Sequence, residues 1–290
     1  TVVQHFQPDA GLIWGMWNIS RRVPQRVEKL LGNRLGYYFC DYWPTLPNAY
    51  VQRLQEPARR RSLQLGKALL ARCFLPRLAT EDIPLRFPHP ICVSRAVRDI
   101  LLAGGAPLRN AQVIYGGTAL AEAAAPPPPA AIAGAAAAAE PLRLLYLGRL
   151  EPIKGVHTVI DALHRLRSDA TYDRPVSLDI VGSGAPEYTS HLRGLVQAYG
   201  LEAVVNLCGP VSRAEAARMM AEHDVLVFPS EWEEPFARTV LEGMATGLPV
   251  IGALTGGTGE ILVEGETGLT FAAGDSEGLA RQIRRLAEEP

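Results

Sequence analysis

From Leu142 to Ala253, short apolar runs alternate with stretches whose apolar residues recur at helical spacing. The run 142–150 (LRLLYLGRL) ends in Gly and Arg and reads as a buried parallel strand. After Gly155, the residues Val156, Val159, Ile160, Leu163 and Leu166 fall on one helical stripe. The pattern then predicts a strand at 177–184 (SLDIVGSG), a helix at 191–200 closed by Gly200, and a strand at 204–211 (VVNLCGPV). Ser212 and Glu215 have the spacing of a capping box that opens a helix through Met220. Strands at 224–230 and 248–253 enclose a helix at 239–246. Such alternation predicts a doubly wound parallel sheet, which takes ligands at the carboxyl ends of its strands.

Upstream the pattern is sparser. Residues 11–20 and 36–43 read as strands running into loops, and 111–117 as a final strand. Residues 88–105 read as a short strand and a helix started by Ser94 and stopped by Gly104-Gly105. This amounts to about three strands, too few for a full doubly wound sheet. The two regions are separated by AEAAAPPPPAAIAGAAAAAE (121–140), whose four consecutive prolines fit neither a helix interior nor a central strand. The expected division is a first domain at 1–118, a Pro/Ala-rich linker at 119–140 and a second domain at 141–290.

Length and composition narrow the class. The 290 residues suit two domains, and 48% hydrophobic with 20% charged residues excludes a disordered chain. No apolar run approaches the ~20 residues of a membrane span. The four cysteines are isolated and form no CxxC pair, which argues against a disulfide scaffold or a zinc site and fits a reducing, cytoplasmic setting. The net charge of −1 hides an asymmetry: residues 1–140 hold 16 Lys and Arg against 9 Asp and Glu, and residues 141–290 hold 13 against 21. Within the basic half, residues 53–77 carry Arg53, Arg59, Arg60, Arg61, Lys67, Arg72 and Arg77 against Glu56, interleaved with Leu63, Leu65, Leu69, Leu70 and Phe74. This suits a solvated helix packed on its own domain, or peripheral contact with an anionic membrane face. Nucleic acid is excluded as a partner by the overall balance and the absence of a binding motif.

The strand ends carry the chemistry. Gly148-Arg149-Leu150-Glu151-Pro152-Ile153-Lys154-Gly155 puts two cations beside a helix N-terminus, an arrangement that suits a diphosphate and equally an ordinary surface loop. Val181-Gly182-Ser183-Gly184 permits close backbone approach but lacks the third glycine of a dinucleotide fingerprint. After Phe228-Pro229-Ser230, Glu234 falls at the mouth of a helix and Glu242 two turns inside it, and carboxylates accept well from paired sugar hydroxyls. Thr255-Gly256-Gly257-Thr258-Gly259-Glu260 offers successive amides to an anion.

In this order GRLEPIKG, IVGSG, LCGPVSRAE, FPSEWEEPFARTVLEGMATGLPVIG, GGTGEIL and EGETGLTF resemble the family 4 retaining glycosyltransferases of the GT-B fold. The resemblance covers 141–290 and extends more weakly over 88–118, where Gly116-Gly117 stands for the usual Asn-Gly. It implies two Rossmann-like domains with parallel sheets, the N-terminal one incomplete, because the family's opening strand, glycine-rich loop and helix have no counterpart ahead of Thr1. It implies transfer of a hexose from a UDP- or GDP-sugar to a hydroxyl acceptor, by front-face attack, with neither cofactor nor metal. Gly148, Arg149 and Lys154 would hold the diphosphate. Glu234 would contact the donor sugar and Glu242 the ribose. Backbone amides at Phe236, Ala237, Val240 and Leu241 would meet hydroxyls and phosphates, Val211 would lie by the base, and Gly182 and Gly184 would line the cleft.

In many members a His ends the strand matched by GYYFCDYW; here Asp41 stands nearest, as a candidate donor-sugar contact. Trp14, Trp17 and Asn18 are candidates for an acceptor cleft, with core packing the other role for the tryptophans. The usual EPFG reads Glu234-Pro235-Phe236-Ala237 and the usual LEAMA reads Leu241-Glu242-Gly243-Met244-Ala245, Gly243 costing about 1 kcal/mol of helix propensity. A non-catalytic or partner-dependent sugar-nucleotide-binding module, completed by a companion chain or an oligomer, is the alternative. A nicotinamide oxidoreductase is disfavoured by the missing GxGxxG.

Overall fold

A computed structural model describes residues 2–17, 19–46, 51, 54–57, 63–79, 83–118 and 141–288. The chain divides into two compact units, 1–115 and 116–290. The expected linker 119–140 lies outside the described residues, as do Asn18 and, in the basic stretch, Arg53, Arg59, Arg60 and Arg61.

The first unit is built on strands β1 (Gly11–Trp14), β2 (Leu35–Phe39), β3 (Pro90–Cys92) and β4 (Gln112–Val113), parallel and in the order β1-β2-β3-β4. Each of the four marked runs therefore holds a strand, one more than the total of about three drawn from them, and each strand is shorter than its run. Tyr37, Phe39, Trp43 and Phe87 meet edge-on or tilted within the core. The buried Glu28 of helix Arg22–Leu31 accepts from the Tyr37 hydroxyl at 3.0 Å and from the Arg86 and Phe87 amides at 3.1 and 3.0 Å, tying the helix to β2 and its flank. Burial pushes the Tyr37 phenol far above its usual range. Trp14 and Trp17 are exposed rather than in the core. In helix Gln64–Ala79, Leu65, Leu69, Leu70 and Phe74 are likewise exposed instead of packed on the unit.

The second unit holds β5 (Leu142–Leu147), β6 (Val176–Val181), β7 (Val205–Gly209), β8 (Val225–Phe228), β9 (Val250–Ala253) and β10 (Leu269–Phe271), all parallel, in the order β10-β9-β8-β5-β6-β7. The chain winds outward from β5 to β7, returns past its start, and winds the other way from β8 to β10. The connecting segments consequently cover both faces, and β5 and β8 are neighbours at the point where the winding reverses. Helix Val156–Ser168 buries the predicted stripe Val156, Val159, Ile160, Leu163 and Leu166. Ser212 caps helix Arg213–Glu222 by accepting from the Glu215 amide at 3.2 Å, while the Glu215 carboxylate turns to Arg218 and leaves the box half made.

At the amino ends of β5 and β8 a second tie holds the switch point closed. Arg143 donates to Asp224 through Nε at 3.1 Å, Nη2 at 2.9 Å and its amide at 2.8 Å. Burial alone would raise the Asp224 carboxyl, but the Arg143 side chain and amide outweigh it and hold it below the usual carboxylate value. A depressed folded pKa contributes stability above the unfolded value of about 3.9 that is lost as pH falls through the folded one. Asp224→Asn is therefore expected to cost about 1–2 kcal/mol in urea unfolding at pH 7, with the gap to wild type closing below about pH 4.

Candidate functional site

The carboxyl ends of β5 and β8 diverge at the switch point and leave a cavity of about 310 Å³. Six of the residues singled out from the sequence line it: Gly148, Arg149, Lys154, Glu234, Phe236 and Ala237. Tyr146, Leu147, Phe228, Pro229, Ser230, Arg238 and Thr239 complete the wall.

Three loops shape this cavity. The first follows β5. Gly155 adopts φ +65° after the 3-10 turn Pro152–Lys154, and a Cβ there would strike the Pro229 carbonyl. That turn aims Lys154 across the switch point at Glu234, with Nζ 2.5 Å from Oε1 and 4.9 Å from the Trp232 ring centroid. Both side chains are nearly enclosed, 13% and 8% exposed. Arg149 is the opposite case: its side chain is 63% exposed and pairs with Glu151 at 2.6 Å. The Tyr146 hydroxyl donates to the Arg149 carbonyl at 2.7 Å and braces the turn from below, and burial pushes its phenol well above the usual range.

The second loop, after β8, enters helix Arg238–Ala245 without a side-chain cap, because Ala237 stands at the N-cap. A helix leaves its first amides without intrahelical partners, and Ala237, Arg238 and Thr239 line the cavity. An N-terminus without a side-chain cap is of the kind that suits an anion. The N-terminus of helix Val156–Ser168, which the sequence places beside Arg149 and Lys154, already has a carboxylate: Glu231 accepts from Thr158 Oγ1 at 2.9 Å and lies 3.2 Å from His157 Nε2. The third loop, after β9, donates the Gly257 amide to the Glu234 carbonyl at 2.6 Å.

The remaining sequence candidates fall elsewhere. Gly182 and Gly184 press backbone to backbone on the loop after β5, where a Cβ would overlap the carbonyls of Gly148 and Leu150. Their lack of a side chain is thus required by the protein itself. Val211 packs against the core cluster under β8 and β9. The Val240 side chain is fully buried, and the Leu241 amide bonds to the Ala237 carbonyl at 3.3 Å. Glu242 lies a turn along the helix, partly exposed, with Oε1 3.9 Å from Arg238 Nη2. Asp41, in the first unit, accepts from the Trp43 amide at 3.0 Å; burial raises its carboxyl and that bond lowers it less. Tyr146, Ser230, Trp232 and Arg238 were not singled out as site residues. Tyr146 is marked only as a hydroxyl inside a buried apolar run, a group that needs a partner.

Two parallel-sheet α/β units, one doubly wound with its crevice at the switch point, are the architecture of the GT-B class. The chain belongs to the family Glycosyl transferases group 1, whose model matches residues 131–290. Glycogen synthase of Mycobacterium tuberculosis (strain ATCC 25618 / H37Rv) is 34% identical over 150 residues, 52% of this chain and 35% of that protein. D-inositol 3-phosphate glycosyltransferase of Arthrobacter sp. (strain FB24) is 32% identical over 154 residues, 52% of this chain and 36% of that protein. The matched part thus spans about a third of the length of these curated relatives. Among solved structures, Anabaena HepE in complex with UDP and glucose superposes with a TM-score of 0.67 at 23% identity, covering 99% of this chain and 71% of that one. Sucrose-phosphate synthase from Thermosynechococcus elongatus gives 0.66 at 24% identity over 96% of this chain and 65% of that one. No helix among the described residues is long and apolar enough to cross a membrane.

Because Lys154 and Glu234 are both largely out of water, removing one leaves the other unpaired. Lys154→Met is expected to destabilise the second unit by about 3 kcal/mol in urea unfolding, and adding Glu234→Gln should restore at least about 1 kcal/mol. Strictly additive losses would mean that the two side chains do not interact.

Proposed function

We propose that the chain moves a hexose from a nucleoside-diphosphate sugar to a hydroxyl acceptor with retention of configuration. The observation that carries this reading is the convergence of Arg149, Lys154, an uncapped helix N-terminus and the Glu234 carboxylate on one cavity at the switch point. The first three are donors suited to a diphosphate, and the fourth is an acceptor suited to a sugar hydroxyl. HepE has been crystallised with UDP-glucose, which supports a sugar nucleotide as the ligand class.

In the proposed reaction the bond from the anomeric carbon to the diphosphate oxygen breaks, and its electron pair stays on the diphosphate. The acceptor oxygen bonds to the same face of the sugar, and its proton passes to the departing phosphate oxygen. Charge grows on the leaving group as that bond lengthens. The cations and the helix N-terminus are fixed beforehand where it grows, so they stabilise the transition state more than the bound substrate. No metal is needed for this share of the work. Glu234 would hold the sugar, and Glu242 and the Val240 and Leu241 amides would serve the nucleotide's ribose and phosphates. Gly182, Gly184 and Val211 would shape the nucleotide side, and Asp41 remains the candidate sugar contact from the first unit.

A thermal-shift panel of UDP-, GDP- and ADP-sugars against NAD tests the reading. At least one sugar nucleotide should raise the melting temperature while NAD does not, and Glu242→Ala should weaken that ligand about tenfold. A shift by NAD alone would overturn it. Binding without donor hydrolysis or transfer would favour the non-catalytic module.

For the acceptor side we propose peripheral contact with an anionic lipid surface through residues 53–77. The support is seven cations against one acid, with Leu65, Leu69 and Phe74 exposed. The chain should co-sediment with vesicles of anionic lipid, not with neutral ones, and high salt should release it.

A further inference from the structure

Ser230 has no role in the reading above, yet it is the side chain on which the site's loops converge. It follows β8, is 1% exposed, and its Oγ lies 2.5 Å from Glu234 Oε1 and 3.4 Å from the Ile153 carbonyl. A serine hydroxyl has one proton to give, and the short contact to a carboxylate takes it. The Ser230 carbonyl in turn accepts from Thr255 Oγ1 at 3.3 Å. The Ile153 carbonyl beside it receives the Glu231 and Trp232 amides at 2.9 and 3.1 Å. Ser230 is thus fixed from the loops after β5, β8 and β9 at once.

Both donors to the Glu234 carboxylate, Ser230 Oγ and Lys154 Nζ, use the same oxygen, Oε1. Among the described residues nothing donates to Oε2, while Glu234 lines the cavity. We propose that Ser230 is a positioning residue that holds Glu234 by Oε1 and so presents Oε2 to a hydroxyl of the donor sugar.

The inference rests on the sugar-nucleotide reading and adds a division of labour to it. A bound diphosphate draws Lys154 Nζ toward its own charge, which weakens one of the two ties on Oε1. The serine is neutral and 1% exposed, so the phosphate draws on it less than on the ammonium. Ser230 therefore matters most with the ligand in place, when Glu234 would otherwise be free to turn. It is required for the sugar and not for the nucleoside diphosphate.

That asymmetry gives the test. Calorimetry on the full chain compares UDP and UDP-glucose, or whichever base and sugar shift the wild type in the panel. Ser230→Ala is expected to bind the nucleoside diphosphate within about twofold of wild type, while kcat/KM for donor hydrolysis falls about 10- to 100-fold, the worth of one charge-assisted hydrogen bond. Ser230→Thr, which keeps the hydroxyl, should recover most of the loss. Equal loss for both ligands, or no loss for either, overturns the proposal.

A ligand-free measurement separates it from the parent reading. Ser230→Ala should lower the urea midpoint in the wild-type background and leave it unmoved when Glu234 is already Ala. The same drop in both backgrounds overturns the positioning role whatever the substrate. A wild type that no sugar nucleotide shifts, with the urea coupling intact, overturns the assigned function and with it the role of Oε2, but not the hold on Oε1.

Discussion

The ion pair between Lys154 and Glu234 joins the two halves of the second unit at the one place where strand pairing cannot. At the switch point β5 and β8 run side by side, but the loops beyond them leave the ladder and meet by backbone at the Ile153 carbonyl, which takes the Glu231 and Trp232 amides. A cation from one loop and a carboxylate from the other meet there at 2.5 Å with little solvent around either. Taking two charges out of water is costly, and the pair is sustained only because its remaining valences are met. Ser230 supplies a second donor to the carboxylate and the Trp232 ring a face to the ammonium. The left-handed turn at Gly155 and the Gly257 amide on the Glu234 backbone exist in service of that meeting.

The pair also decides the charge of the unliganded cavity. Lys154 and Glu234 cancel, so the positive potential at the mouth comes from Arg149 and Arg238, both well exposed, and from the helix N-terminus. Exposed guanidinium groups in water attract an anion over roughly a Debye length but hold it weakly. An enclosed ammonium is less screened by water than an exposed guanidinium. The exposures thus set two outer cations, Arg149 and Arg238, apart from one enclosed one, Lys154. Glu231 sets its carboxylate against Thr158 and His157 in the first turn of helix Val156–Ser168.

Much of the second unit is legible in the order of its residues. Buried parallel strands are apolar on both faces, so β5, β6, β8 and β9 stand out as runs, and Gly200 and Ser212 mark helix ends by their backbone chemistry. β10 escapes because three residues, Leu269–Phe271, make no period. In the first unit the strands are two to five residues long and run into aromatic loops, so pattern inflates them and miscounts them. That Arg149, Lys154 and Glu234 lie at one cavity is legible through the motifs that resemble the family, since two cations at a strand end suit an ordinary loop equally. Ser230 and Tyr146 are not, since a hydroxyl's importance lies in which oxygen it reaches across 4 or 3 residues of folded chain. Nor does sequence tell which of two helix N-termini is already filled.

Two departures from the usual family pattern, read separately, are small: a methyl gained at Ala237 and one lost at Gly243. In the structure they belong to one helix and one core. Ala237 is 2% exposed and packs, with Val240, in the cluster that contains Leu226 of β8. A Cβ at Gly243 would come within 2.7 Å of Leu226 Cδ2, tighter than ordinary packing admits. An alanine at 243 would thus require the Leu226 side-chain tip to shift, while the methyl at Ala237 fills the core at the helix entry. The propensity cost of a helical glycine, about 1 kcal/mol, stands against that shift.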